Sequence, residues 1–333
     1  MTRFFTKTRI SFPVLALITL LSVSCGKDDG GKGKGPDTPP VSEHTYDLRV
    51  MSFNIRYAGN KDDEAAGNGW DARKAACVQM VKHLQPDLLG LQEPKPVQWG
   101  YLKNALKSDY TLVSCTHPED DPDNYMANTG NTVLMFRHTT LELLDYGHFF
   151  YGEDPTKQAI PYGSDDKNYR CAVWVKVKVR DTGHIVWFYT THFPYDPNAS
   201  KGSYNVEPRR LCAQQMVETM KRAAGESGIC FTCGDLNCSF ANATTSPSLA
   251  PLSAWLSSAR QTAPVVDDWR SFNGWKKAQT GGTYSIDHIF YRHATPLSYE
   301  TVVDAKTYGR EFLSDHYPIL FVCRLEEADL PEE

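Results

Sequence analysis

The chain has 333 residues, with 35 Lys and Arg against 40 Asp and Glu, a formal net charge of −5. That length suits one large α/β domain once the termini are set aside. The acidic balance disfavours long duplex nucleic acid, whose affinity comes mostly from phosphate neutralisation by Lys and Arg, while leaving room for a local basic pocket.

At the N-terminus, Arg3, Lys7 and Arg9 precede an apolar stretch, residues 10–24, that is too short to span a bilayer. Ser22-Val23-Ser24-Cys25 follows, then Gly26-Lys27-Asp28-Asp29. This resembles a bacterial lipoprotein signal with Cys25 as the lipidated residue, and Lys-Asp-Asp resembles the export signal of surface lipoproteins in the Bacteroidetes. The resemblance implies an exported protein, anchored by lipid to the outer membrane or cell surface, with the periplasm as the alternative. An ordinary cleaved secretory peptide is the plainer reading and is exported too. Losing residues 1–24 removes three positive charges and takes the net charge from −5 to −8. Residues 25–45 read as a Gly/Lys/Pro tether, 46–325 as the domain and 326–333 as a solvated acidic tail. The eight cysteines after Cys25 sit mostly among apolar neighbours and read as small buried hydrophobes. Cys230-x-x-Cys233 lies inside a strand with no second ligand pair, which speaks against a metal role.

The domain opens with a strand at 48–55 that ends near Asn54. After a polar loop, Trp70 and Asp71 start a helix with an apolar stripe at Cys77, Met80, Val81 and Leu84, stopped by Pro86. Residues 87–93 form a strand so apolar that both faces must be covered, ending on Glu93. A helix over 97–106 precedes strands at 110–115, 131–137 and 141–150, with the acidic loop 116–130 as a cleft rim. An antiparallel pair follows at 170–179 and 185–193, the second carrying His192. Pro208 at a first helical position predicts a helix to about residue 223. Residues 229–233 form a buried strand, and Gly234 turns the chain so that Asp235 and Asn237 face one way. Residues 238–283 read as irregular apart from a short helix near 249–257. Strands at 284–290 and 316–323 close the domain.

Polar residues collect at strand ends: Asn54, Glu93, His192, Asp235, Asn237, Asp287, Asp315 and His316. Four carboxylates gathered this way suit a hard divalent cation, and Mg²⁺ needs only one or two of them plus water and substrate phosphate. His288 alternates with Asp287 and so faces the other side of its strand. Ser52-Phe53-Asn54, Leu91-Gln92-Glu93, Gly234-Asp235-Leu236-Asn237, Ile286-Asp287-His288-Ile289 and Ser314-Asp315-His316, in this order, resemble the endonuclease/exonuclease/phosphatase superfamily over nearly all of 46–325. The resemblance implies a four-layered α/β/β/α sandwich of DNase I type, two mixed sheets flanked by helices.

It also implies Mg²⁺, or Mn²⁺ as the alternative, on Glu93 with Asp315 and Asn54 assisting. Asp235 would activate water, with Asn237 placing it. His316 would face the phosphoryl oxygens with its tautomer held by Asp287, and His192 would approach the same phosphate. Arg170 and Asn131 begin strands and could touch the substrate. The expected partner is a phosphoester, whether nucleic acid fragment, phospholipid head group or small phosphate ester, acted on by a monomer. The reading from another class is a surface-anchored binding protein that keeps the fold without catalysis.

Overall fold

A computed structural model describes residues 44–114 and 132–330. Cys25, Asn131, the signal segment, the tether up to residue 43 and the loop 116–130 lie outside the described residues. The described elements are, in order, β1 (Tyr46–Asn54), α1 (Lys61–Ala65), α2 (Trp70–Leu84), β2 (Leu88–Gln92), α3 (Pro96–Leu106), β3 (Tyr110–Ser114), β4 (Thr132–Arg137) and β5 (Leu141–Phe150). Then come β6 (Cys171–Val179), β7 (Ile185–His192), α4 (Val206–Ala224), β8 (Ile229–Asp235), α5 (Ala250–Ser253), β9 (Ser257–Ser258), α6 (Ala259–Thr262) and β10 (Val265–Val266). β11 (Asp287–Arg292), β12 (Thr295–Thr301) and β13 (Ile319–Leu325) finish the fold.

The strands make two mixed sheets, β10-β12-β13-β1-β2-β4-β3 and β5-β6-β7-β8-β11-β9. Their facing sides enclose a core of Leu48, Val50, Leu88, Leu134, Val175, Phe188, Phe231, Ile289 and Phe321. The outer side of the first sheet, through Met51, Phe53 and Leu91, packs on α2 and α3. The outer side of the second, through Tyr189, Cys230 and Phe290, packs on Cys212, Met216 and Met220 of α4. The result is the expected α/β/β/α sandwich. α2 follows its sequence signals: Cys77, Met80 and Val81 are buried, and Gln85 caps the helix at φ 47° by donating its N–H to Val81 O, just before Pro86.

Strand alternation decides what reaches the edge of the sandwich. Along β1 the inward stripe runs Leu48, Val50, Ser52, Asn54; along β8 it runs Ile229, Phe231, Cys233, Asp235. Along β7 it runs Val186, Phe188, Thr190, His192. Each stripe is apolar at depth, small and polar near the edge, and acidic, amide or imidazole at the rim. β1 and β2 are parallel, as are β7 and β8, so their C-terminal ends share one edge. β13 runs antiparallel to β1 and β11 antiparallel to β8, so these two strands begin at that same edge. Beneath the rim the sheets touch through a polar layer, with Gln92 Nε2 donating to Thr190 Oγ1 at 3.1 Å. Gly90 permits this approach: a Cβ there would lie 2.3 Å from Thr190 Oγ1 and 2.4 Å from Cys233 Sγ.

Several expectations change. Gly234 does not turn the chain; it lies inside β8, opposite Thr191 and His288. Glycine is required there because a Cβ would meet the Thr191 carbonyl oxygen at 1.9 Å. The turn comes at Asn237, with φ 51°. Pro208 occupies the third helical position rather than the first, since Asn205 is the N-cap of α4; proline is harmless anywhere in a first turn, where backbone N–H groups have no helical acceptor. β12 is an additional strand, bulged between Pro296 and Ser298, and Pro296 hides it from a pattern search. Residues 238–283 hold α5, α6 and two two-residue strands. No disulfide joins the described cysteines. Cys230 packs toward α4 while Cys233 faces the inter-sheet core, so the x-x spacing makes no pair.

Candidate active site

The rim residues line or back a cleft of about 870 Å³. Asp235 is at its floor, 2% exposed. Its Oδ2 accepts from Asn54 Nδ2 at 3.0 Å and lies 3.5 Å from His192 Nε2 and 3.8 Å from His316 Nε2. Its Oδ1 accepts the Asn237 N–H at 3.0 Å. The Asn237 side chain donates to Phe193 O at 3.0 Å and lies 3.1 Å from His192 Nε2. This fixes His192 as an acceptor at Nε2, so the ring proton belongs on Nδ1, which is buried without a partner. His316 Nδ1 meets Asp287 Oδ2 at 2.8 Å. Asp287 and Asp235 stand opposite each other in the β8–β11 register.

The two imidazoles are pushed in opposite directions. Burial alone would lower His316, but Asp287, then Asp235 and Asp315, outweigh it and lift the group to about 10, so it is cationic at neutral pH. Burial, then Arg170 and His316, hold His192 well below 6.5, so it is neutral. Burial, then the Asp287 carboxylate, raise Asp235 to about 7 against the pull of His316, the Asn237 N–H and Asn54. A carboxyl poised near neutrality beside a cationic and a neutral imidazole can take a proton from water.

All eight predicted rim residues meet here. Arg170 also lines the cleft, tied to Asp166 Oδ2 at 3.0 and 3.2 Å. His288 is outside, as its alternation implied: its Nε2 meets Cys238 O at 2.8 Å on the far side of the sheet. Asn54, expected to assist the metal, stands between the two acids. Its amide donates to Glu93 Oε1 at 3.2 Å as well as to Asp235, while its oxygen accepts the Arg56 N–H at 3.1 Å. It bridges the two acids as a donor.

The donor set fits a divalent cation at Glu93 and Asp315. Arg56 Nη1 lies 3.4 Å from Asp315 Oδ2, and its charge is favoured by Asp315, Asp63 and Glu93 against the cost of burial. These acids therefore already gather positive charge. Asp235, Asp287 and His316 also bring one possible ligand atom each within 4.8 Å of one another. A protonated His316 cannot ligate, however, and its Nδ1–H is spent on Asp287, so this trio suits acid–base work.

Several contributors escaped the sequence reading. Arg73 is buried and donates to the carbonyls of Ile55, Arg56, Asn68 and Leu313, tying the end of β1 to the segment that presents Asp315. Trp275 Nε1 donates to Asp63 at 2.9 Å across the cleft. The signal that could have found the rim is backbone strain, which composition does not display. Of the eight non-glycine residues with positive φ among the described residues, Arg56, Glu93, Asn237 and Trp275 line this cleft.

A four-layered sandwich whose two sheets deliver acids, amides and imidazoles to a common edge is the DNase I-like class of hydrolytic fold. A family model described as Endonuclease/Exonuclease/phosphatase family matches residues 51–316. The chain belongs to that family and is a phosphoesterase. Its structure resembles an endonuclease/exonuclease/phosphatase from Bacteroides vulgatus, 25% identical, over 84% of this chain and 100% of that one, with a TM-score of 0.70. It also resembles a mannosyl-6-phosphatase from Bacteroides thetaiotaomicron, 22% identical over 82% and 98% of the two chains at a TM-score of 0.68. D. rerio TDP2 complexed with a single-strand DNA product shares the fold at 18% identity, 83% and 98% coverage and a TM-score of 0.58. No curated protein matches the chain.

Proposed function

We propose that the protein is an exported, divalent-metal-dependent hydrolase of phosphoesters. The carrying observation is Asp235 held between Asn54, His192 and His316 at 3.0 to 3.8 Å, beside Glu93 and Asp315. In this reading Asp235 orients and deprotonates the attacking water, and Asn237 fixes the carboxylate through its backbone N–H. Cationic His316, held by Asp287, faces the phosphoryl oxygens where negative charge builds. Neutral His192, with Nε2 3.5 Å from Asp235 Oδ2, completes the floor of the cleft, and buried Arg170 contributes fixed positive charge at the cleft wall. Glu93 and Asp315 would hold Mg²⁺ or Mn²⁺, which when bound supplies charge neutralisation at the phosphoryl group. Candidate substrates are nucleic acid fragments, phospholipid head groups and small phosphate esters; the relatives' own names span a sugar phosphate and DNA.

The test is hydrolysis of p-nitrophenyl phosphate, its bis ester, plasmid DNA, sphingomyelin and sugar and inositol phosphates, with Mg²⁺ and with EDTA. The expected result is turnover of at least one substrate that chelation abolishes and metal restores. Turnover indifferent to EDTA would remove the metal assignment, and binding without turnover on every substrate would favour the non-catalytic alternative. For location, the reading is a monomer anchored through lipid on Cys25. Radiolabelled palmitate should enter the wild-type chain and not Cys25→Ser; equal labelling would refute the anchor.

A further inference from the structure

The segment between β10 and β11 carries a second groove that the chemistry above leaves unused. It measures about 440 Å³ and opens between Arg270, Phe272, Lys276, Gln279, Tyr284 and Ile286. Phe272 and Ile286 also line the catalytic cleft, so the two spaces adjoin. Phe272 is the joint: its ring centroid lies 4.9 Å from the His316 imidazole, yet half of its surface, 50%, stays exposed. Tyr284 is exposed to the same extent. The half-open Phe272 ring beside the reaction centre is a surface that a ring-bearing ligand can cover.

The groove is also positively charged within an acidic protein. The Arg270 guanidinium lies over the Tyr284 ring at 4.6 Å and its Nε donates to Thr280 O at 2.9 Å. Among the described residues, neither Arg270 nor Lys276 forms an ion pair, whereas Arg260 is taken by Asp267 at 3.0 Å. The nearby Asp268 accepts from the Gly281 and Gly282 N–H groups at 3.2 and 2.9 Å, which holds the loop; Arg260 and Arg270 also favour its charge, and neither makes an ion pair with it. Stacking pre-orients Arg270 with its terminal amino groups uncommitted, the geometry in which guanidinium binds phosphate.

We infer that this groove is a subsite for a second anionic group of the substrate, and that the substrate class is a phosphoester of a ring-bearing alcohol that carries another phosphate. With the scissile group against His316, the ring covers Phe272 and the second phosphate reaches Arg270 and Lys276. The inference rests on the phosphoesterase reading of the adjoining cleft.

The experiment compares matched pairs: fructose 6-phosphate with fructose 1,6-bisphosphate, and adenosine 5′-monophosphate with adenosine 3′,5′-bisphosphate. In the wild type with Mg²⁺, kcat/KM for the bisphosphate should exceed that of its monophosphate by about tenfold in at least one pair, chiefly through KM. The pair that shows the preference distinguishes a sugar ring from a nucleoside. In Arg270→Gln/Lys276→Gln the preference should vanish while p-nitrophenyl phosphate, which has no second anion, is cleaved at the wild-type rate. Equal handling within both pairs, or a variant that slows p-nitrophenyl phosphate as much as the bisphosphates, would overturn the inference. Calorimetric titration with the same compounds in EDTA separates the subsite from the chemistry. Tighter bisphosphate binding that the double variant loses supports the subsite even without turnover. Equal binding within both pairs removes it even if hydrolysis is fast.

Discussion

Replacing Asp235 with asparagine is expected to lower kcat by about 10³-fold on the best phosphoester substrate, within the range that a positioned general base supplies. The substitution is nearly isosteric. The Asn237 N–H can still reach the amide oxygen in place of Oδ1, so the geometry of the β8 end should survive. The capacity to take a proton disappears, together with the acceptor that Oδ2 offers Asn54 Nδ2. Stability should hardly fall, because Asp235 is a buried carboxyl already raised to about 7 by desolvation and by Asp287. A thermal midpoint within about 5 °C of wild type, together with the kinetic loss, would separate chemistry from folding. A variant that retains activity within tenfold would mean that another group activates the water.

His316→Gln is the second large effect, an expected loss of about 10²- to 10⁴-fold in kcat/KM. Glutamine can reach toward Asp287 but brings no positive charge to the phosphoryl oxygens. The companion variant Asp287→Asn tests the cause. Burial pulls the His316 group down and carboxylates pull it up, to about 10, with Asp287 the strongest of them at 2.8 Å. Removing that negative charge lowers the pH at which the imidazolium is lost. The alkaline limb of the kcat/KM profile should therefore move to lower pH in Asp287→Asn, with activity surviving below the new limb. An unmoved alkaline limb would show that His316 works without its charge.

How much of this was legible beforehand follows from the inward stripes. Asn54, His192, Asp235 and Asp287 sit where a period-two pattern leaves its apolar register and turns polar, and that change is written in consecutive residues. Glu93 and Asn237 lie one or two residues beyond a strand and Asp315 four residues ahead of β13, so neighbouring motifs reached them as well. The oxygen-or-nitrogen question at Asn54 was not legible, because it depends on Arg56, Glu93 and Asp235 arriving from three segments. Nor was Gly234, whose need for glycine comes from the Thr191 carbonyl on a neighbouring strand. Arg73 reads as one more helix charge until Ile55, Asn68 and Leu313 turn their carbonyls toward it. The groove beside Phe272 belongs to a stretch with little regular structure, where periodicity carries no information.

The seven described cysteines are all buried, and none is cross-linked to another. Desolvation pushes the Cys77 thiol up to about 11 and those of Cys233 and Cys238 to about 12, so thiolate is scarce in the native state. The described domain therefore needs no oxidant to fold, and dithiothreitol should leave its melting curve where it was. Because an alkylating reagent reaches these thiols only when the sandwich opens, their labelling rate clocks native-state unfolding without any introduced probe.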